Sequence, residues 1–411
     1  MNFIDLFAGC GGLSEGFTKA GFTGISHVEM CSNASKTLRT RIAYHYLKKK
    51  NKLNHYKDYL NQNITNEQLW EYVPDFLQSS VINTEITKKS LHTIFSKIDN
   101  SIHNKQIDLI VGGPPCQAYS VVGRSRDIKG MKWDRRNFLF RFYAEFLNKY
   151  KPKVFIFENV LGLLSAGQKR YFNEMIETFT NLDYSVDWKI LNSEDFGVLQ
   201  KRNRVFIIGR YKSKYFKFPQ LNKINNKWQI KEDLFFDLPS LKPGQAIEKA
   251  KYIKPTNNYL NKSGIRNGFD FVTQHICRPH NSRDLEIYSI AINKLLNEQK
   301  RLKYIDLPSR LQTHSNKVSF LDRYKVVNPF GLSHTIVAHI SKDGHYYIYP
   351  DINQIRSISV REAARIQSFP DDYYFEGGRS SAFKQIGNAV PPLMAERIAI
   401  SIKDILEVDK Q

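Results

Sequence analysis

The sequence predicts an α/β protein: a doubly wound, parallel sheet with helices on both faces, joined to a smaller and less regular second domain. Three observations lead there. At 411 residues the chain is longer than one core usually serves. In its first half, short β-rich apolar runs alternate with helical patterns, as strand–helix–strand units do. After Arg210 the alternation stops, and residues 211–355 hold irregular basic and aromatic segments. In sheets of this kind ligands bind outside the carboxyl ends of the strands, so the motifs that follow each apolar run matter most.

The first run, NFIDLF, leads into the glycine turn AGCGG and reads as a buried strand. GISHVEM is the second and ends with an acid, Glu29. IDLIVGG is the third, stopped by the glycines and prolines of GGPP. VFIFENV and RVFIIGR complete the set, and each is short and apolar enough to be buried on both faces. Helical patterns fall near residues 13–20, 33–50, 137–150 and 169–182. Residues 48–80 interrupt the alternation as a polar, partly helical insertion. The chain closes with a helix-like REAARIQSF, a loop, and QIGNAVPPLMAERIAISIKDIL. The expected organisation is a domain over 1–210 containing the insertion, a second over 211–370, and a segment over 371–411 returning to the first.

Composition narrows the function classes. No apolar run of about 18 residues is present, which argues against a transmembrane helix, and the N-terminus lacks the basic start of a signal peptide. Four scattered cysteines without a CxxC pair suit a reducing cytoplasm better than a disulfide framework. His334, His339 and His345 lie close together but lack partner cysteines or an HExxH frame, so no metal site is expected. Lys and Arg total 61 against 40 acidic residues, a net charge of +21 that points toward a polyanion such as nucleic acid.

Four motifs share the carboxyl edge of the predicted sheet. DLFAGCGGLSEGF carries glycines at 9, 11 and 12, which allow a tight turn and close approach of a ligand to the main chain. Ser14 stands where a dinucleotide fingerprint needs its third glycine, which disfavours a nicotinamide or flavin site and leaves another nucleoside-bearing cofactor open. Glu29 is placed to accept hydrogen bonds from ribose hydroxyls. GGPPCQAYS places Cys116 after the third strand, with Pro114 and Pro115 stiffening its approach; the alternatives are a structural cysteine or a nucleophile. Glu158 of ENV ends the next strand, where a partly dry cleft can raise its pKa and make it a proton donor. QKRNR places Arg202 and Arg204 at period two before the last strand.

These blocks, with REAARIQSFPDDYYF and QIGNAVPP, occur in the order found in DNA (cytosine-5)-methyltransferases, and the chain resembles that family over nearly its whole length. The resemblance implies a Rossmann-like, S-adenosylmethionine-dependent methyltransferase sheet with a smaller target-recognition domain. It also implies a restriction–modification type of enzyme acting on double-stranded DNA. In that family the PCQ cysteine, here Cys116, attacks C6 of cytosine. The ENV glutamate, here Glu158, holds the exocyclic amine and N3. Arg204 contacts the cytosine O2 and Arg202 supports the loop. A stacked base is out of reach of both thiol and carboxylate, so it must be flipped out.

The resemblance also assigns the cofactor contacts, with S-adenosylhomocysteine as the product. Phe7 packs on the adenine, and Gly9, Gly11 and Leu13 wall the methionine moiety. Glu29, with Met30 beside it, binds the ribose. Glu85, followed by Ile86, stands where the family commonly has an aspartate that meets the adenine amine. Pro114 lines the cofactor side, and Asn388 and Val390 return to the pocket from the C-terminal end. Gln117 to Trp133 matches the family's closing loop, with Gln117, Ser120, Arg124 and Arg126 toward DNA. In the second domain Arg278, His280, Arg283, Arg310, Arg323 and Lys325 are expected DNA contacts. SHTIVAHISKDGHYYIYP reads as scaffold.

A transfer-RNA methyltransferase of the same fold would have a much smaller recognition region. A catalytically dead binding module would not be expected to keep PCQ, ENV and QxRxR together. A dinucleotide or nucleotide-sugar enzyme is disfavoured by the glycine spacing. The expected setting is a cytoplasmic monomer that protects host DNA, opposite a cognate endonuclease with which it forms no stable complex.

Overall fold

The computed structural model describes residues 1–102, 105–115, 138–224 and 227–408. Its centre is a seven-stranded sheet ordered β3-β2-β1-β4-β5-β8-β6. These strands are β1 (Asn2–Leu6), β2 (Thr23–Glu29), β3 (Val81–Asn83), β4 (Leu109–Gly112), β5 (Val154–Asn159), β6 (Tyr184–Asn192) and β8 (Asn203–Tyr211), with the short β7 (Gln200–Lys201) outside the sheet. From β3 to β5 all pairings are parallel.

β8 departs from the expected parallel arrangement: it runs antiparallel to both β5 and β6. The short return from β6 through residues 193–202 reverses the chain without a crossover helix, and antiparallel pairing follows. β6 and β3 are additions to the strands expected from sequence. β6 has polar and half-exposed residues along much of its length, and β3 has three residues, so neither carries a long apolar run.

Strand residues alternate between two cores, as period-two geometry requires. Ile4, Ile110, Phe155, Phe157, Val205 and Ile207 face one core. It is closed by α6 (Leu91–Ile102), α7 (Leu139–Tyr150) and α8 (Arg170–Thr180). Phe3, Leu109, Val111, Val154, Ile156, Phe206 and Ile208 face the other, closed by α1 (Gly12–Lys19) and α13 (Pro392–Val408). α6 escapes the sequence pattern because its buried contribution is mainly Ile94 and Ile98, one turn apart, among polar neighbours. α1 and α13 pack backbone to backbone: a Cβ on Gly16 would stand 2.5 Å from both the Ala395 Cβ and the Glu396 nitrogen.

The insertion forms α3 (Leu53–Leu60), α4 (Asn66–Glu71) and α5 (Asp75–Gln78), packed on α2 (Ser32–Lys49). Tyr56 and Tyr59 tie it to the C-terminal part of the chain, donating to the Asp372 carbonyl at 2.7 Å and to Glu376 Oε1 at 2.6 Å.

Beyond Tyr211, β9 (Ala246–Lys251) and β10 (Phe271–Ile276) form an antiparallel pair. α9 (Asn258–Lys262), α11 (Val360–Ile366) and α12 (Arg379–Asn388) share a core with them and with Ile230, Leu234, Ile336 and Tyr347. α10 (Ser282–Glu298) covers a smaller cluster of Ile287, Tyr288, Leu302, Tyr304 and Tyr324. The arginines of REAARIQSF are wholly buried. Arg361 donates to the Thr273, Pro370 and Tyr373 carbonyls, and Arg365 pairs with Asp237 and Asp371. β11 (Ser333–His334) runs parallel to β7, pairing Ser333 with Gln200 and His334 with Lys201. No helix among the described residues is long and apolar enough to cross a membrane.

Candidate active site

At the end of β1 the backbone turns through left-handed conformations at Phe7, Gly9 and Gly11, with φ of 56°, 56° and 86°. Gly9 donates its N–H to Glu29 Oε2 at 2.8 Å, and Glu29 Oε1 accepts from the Cys31 N–H at 2.7 Å. One acid at the end of β2 thus links the glycine loop to the start of α2. Burial holds its pKa above the usual glutamate range, against the pull of the Cys31, Gly9 and Met30 N–H groups and Lys384. A Cβ on Gly9 would meet nothing within 4 Å, so the main chain is open to a ligand there.

The next glycines have the opposite task. A Cβ on Gly11 would lie 2.7 Å from Leu38 Cδ2, and one on Gly12 would lie 2.2 Å from the Val390 carbonyl oxygen. The Tyr373 hydroxyl donates to the Cys10 carbonyl and closes the loop from below. Leu13 and Val390 are both buried in the core that α1 and α13 close, so their side chains serve packing and their main chain remains for a ligand. Asn388 and Met30 are exposed, Phe7 is partly buried, Ile86 is buried, and Glu85 is exposed, its carbonyl accepting from the Ser90 hydroxyl.

Sequence reasoning passed over a polar cluster beneath this loop. Ser14 Oγ donates to Asp5 Oδ2 at 2.5 Å and stands 3.0 Å from His27 Nδ1; all three residues are buried. Burial pushes Asp5 up to about 7, opposed by the Ser14 hydrogen bond, and pushes His27 down to about 4. The signal was present as an aspartate inside an apolar strand at the glycine turn.

At the neighbouring strand ends the second group assembles. β4 ends at Gly112, and a Cβ on Gly113 would stand 2.6 Å from Glu158 Oε2 and 3.3 Å from the Glu158 carbonyl oxygen. The carboxylate therefore lies against the main chain just before Pro114, Pro115 and Cys116. Asn159 Nδ2 donates to the Pro114 carbonyl at 3.3 Å, and Asn159 Oδ1 accepts from the Val160 N–H at 2.9 Å. Cys116 itself, with Gln117, Ser120, Arg124 and Arg126, lies outside the described residues.

Arg204 Nε stands 2.9 Å from Glu158 Oε1, both side chains being 12% exposed. Burial raises the Glu158 pKa above the ordinary glutamate value, while Arg204 and then Arg202 pull it down. The two arginines do not share one role. Arg202 lies between β7 and β8, fully buried, and donates to the Ile336 carbonyl at 2.6 Å and the Gly387 carbonyl at 3.2 Å. Gln200 adds to the same joint, accepting from the Ile336 N–H at 2.8 Å and donating to Gln367 Oε1 at 2.8 Å. The buried half of QKRNR thus joins β11 and the end of α12 to the edge where Arg204 meets Glu158.

Of the arginines expected at DNA, Arg278, Arg283, Arg310 and Arg323 are engaged by groups of the chain beyond Tyr211. Arg278 donates to the carbonyls of Ile340, Ser341 and Lys342, and Arg323 to those of Asn316, Ser319 and Phe320. Arg310 forms a two-pronged pair with Glu286, and Arg283 donates weakly to Thr313 Oγ1 at 3.4 Å. His280 bonds Ser357 Oγ, and Lys325 bonds the Tyr346 hydroxyl. Positive charge along the sequence did not reveal these partners, because the partner groups are mainly backbone carbonyls.

The family model for C-5 cytosine-specific DNA methylases matches residues 1–67 and 64–404. The chain is 40% identical to the Type II methyltransferase M.Bpa9945I of Bacillus paralicheniformis, covering 99% of both sequences. It is 33% identical to the Type II methyltransferase M.DdeI of Desulfomicrobium norvegicum, over 97% of this chain and 88% of that one. In fold it is similar to a crystal structure assigned as a DNA modification methyltransferase of an Escherichia coli prophage, with TM-score 0.66, 23% identity and 99% of each chain covered. It is also similar to the Entamoeba histolytica methyltransferase EhMeth, with TM-score 0.55, 15% identity, and 100% and 99% covered. The chain belongs to the C-5 cytosine-specific DNA methylases and is a DNA cytosine-5 methyltransferase of the bacterial restriction–modification type.

Proposed function

We propose that the protein methylates C5 of a flipped-out cytosine within one double-stranded sequence, with Cys116 as nucleophile and Glu158 as the acid at N3. The observation that carries this is the pairing of Glu158 with Arg204 against the Gly113 backbone, beside the Pro114 carbonyl that Asn159 holds. A thiolate at C6 makes the ring an enamine only if N3 receives a proton or a strong hydrogen bond. Glu158, raised by burial, is suited to supply it. Arg204 is within reach to hold the base through O2, and Arg202 is a positioning residue that fixes its loop. After methylation a base removes the C5 proton and the Cys116 sulfur leaves by β-elimination.

S-adenosylmethionine would supply the electrophilic methyl group. The residues fit it: Gly9 is open, Glu29 lies at the strand end with acceptor oxygens for a ribose, and Phe7 and Met30 offer apolar contact. Gly11, Leu13 and Val390 shape the loop from behind, while Glu85, Ile86, Pro114 and Asn388 complete the surround. In this reading residues 1–210 form the catalytic and cofactor-binding domain, 211–370 the target-recognition domain, and 371–411 the returning segment. The protein acts as a cytoplasmic monomer that protects host DNA from a cognate endonuclease.

Bisulfite sequencing of DNA from cells expressing the protein tests the function. One recurrent sequence with a protected cytosine is expected; uniformly converted DNA would refute it. DNA affinity should also fall steeply with salt, as several phosphates are neutralised.

A further inference from the structure

The segment 314–323 of the second domain has an unusual construction. Val318 and Phe320 are 87% and 66% exposed, among the most exposed large apolar side chains described. Phe320 also adopts a φ of 56°, a left-handed conformation that strains an aromatic residue. Such a turn would ordinarily take Gly or Asn.

The segment is nonetheless firmly built. The Arg323 guanidinium donates to the carbonyls of Phe320 at 2.9 Å, Asn316 at 2.8 Å and Ser319 at 3.0 Å. It lies over the Tyr304 ring at 4.0 Å, and the Tyr304 hydroxyl accepts from the His314 N–H at 2.7 Å. Asn316 Oδ1 accepts from the Val318 and Ser319 N–H groups. These bonds give the turn its shape while leaving two apolar side chains in water. A contact chain ties the segment to the active edge: the Tyr346 hydroxyl donates to Asp322, His334 Nε2 donates to the Tyr346 carbonyl, and β11, which contains His334, pairs with β7.

We propose that Val318 and Phe320 are base-contacting residues of the recognition sequence, entering the DNA as an apolar pair. The inference rests on DNA being the substrate, as in the function proposed above. The surroundings favour DNA over a protein. Arg283, Arg323 and His345 stand close enough to His314 to act on its charge, and Lys317 lies within the turn. Asp322 is taken up by Lys325 and Tyr346, and Asp284 lies beside Arg283. A protein-docking core is instead depleted of charge. Phosphates have nothing to offer a valine or a phenylalanine. The apolar surfaces of a duplex are its base faces and thymine methyls, reached by groove contact or by wedging between steps.

The test uses the full-length protein with Phe320→Gly, Val318→Ala and the double variant. Phe320→Gly removes the aromatic ring while relieving the left-handed strain, so a folding defect cannot imitate the result. Thermal stability should hold or rise and S-adenosylmethionine affinity should stay unchanged. kcat/KM on DNA carrying the wild-type site should fall roughly tenfold or more, with relaxed discrimination at one or two base positions. Wild-type kcat/KM and specificity in the double variant would overturn the proposal. So would a weakening equal for all sequences, which marks phosphate contact. Altered self-association with unchanged methylation would overturn it in favour of a second copy as the occupant. Failure of the wild-type protein to methylate DNA would instead count against the proposed function.

Discussion

Arg204 Nε stands 2.9 Å from Glu158 Oε1 at the edge of the sheet, so the two side chains form one paired unit. Burial raises the glutamate's pKa and the arginine opposes it, which leaves the carboxyl adjustable by whatever enters beside it.

The pH profile should show this balance. Methylation that uses the protonated carboxyl declines as pH rises through its raised pKa. Arg204→Ala removes a charge that lowers that pKa, so the high-pH limb should move to higher pH while the rate drops. Glu158→Gln should lose roughly 10²–10⁴ in kcat and lose that limb. kcat and kcat/KM measured across pH check both, and an unmoved limb in Arg204→Ala would contradict the coupling.

Arg202 and Arg204 should separate in a stability assay. Arg202→Met leaves the Ile336 and Gly387 carbonyls without their guanidinium donors, and about 1–3 kcal/mol is expected for each buried acceptor left unsatisfied. Arg204→Met should cost much less folding stability and mainly activity. Urea unfolding of both variants provides the comparison.

The glycines of one loop should divide in the same way. Gly12→Ala drives a Cβ into the Val390 carbonyl, where backbone must shift, and should destabilise by several kcal/mol. Gly9→Ala meets no atom and costs about 1 kcal/mol for its left-handed φ, yet should weaken S-adenosylmethionine roughly tenfold or more. Calorimetric titration of cofactor beside thermal melts distinguishes the two.

Asp5 and His27 make opposed contributions to pH-dependent stability. Asp5, raised to about 7, contributes stability that is complete below the ordinary aspartate range and lost as pH rises through about 7. His27, lowered to about 4, contributes stability that is complete above the ordinary imidazole value and lost as pH falls through about 4. Between those limits the slopes largely cancel. His27→Gln should therefore expose the Asp5 slope, a loss of about 1.4 kcal/mol per pH unit as pH rises toward 7. Chemical denaturation at a series of pH values reads it directly.

The strands β1, β2, β4 and β5 were legible because both sheet faces are buried and the apolar runs are continuous. The direction of β8 was not, since RVFIIGR looks the same whichever way it runs and the short return from β6 decides. The site was legible where a motif sits at a strand end, as with Glu29 and Glu158. The partners of Arg278 and Arg323 were not, because these arginines are bound by main-chain carbonyls that carry no residue signal. Asp5 looked like an ordinary strand residue until Ser14 and His27 were found around it.

Under the proposed mechanism Cys116 forms a covalent bond to cytosine C6. Incubation with S-adenosylmethionine and DNA bearing 5-fluorocytosine at the methylated position tests it, because fluorine blocks the elimination that frees the thiol. A protein–DNA adduct is expected, mapped by peptide mass spectrometry to Cys116 and absent in Cys116→Ser. Enzyme that methylates ordinary DNA yet forms no adduct, or an adduct on another residue, would contradict the account.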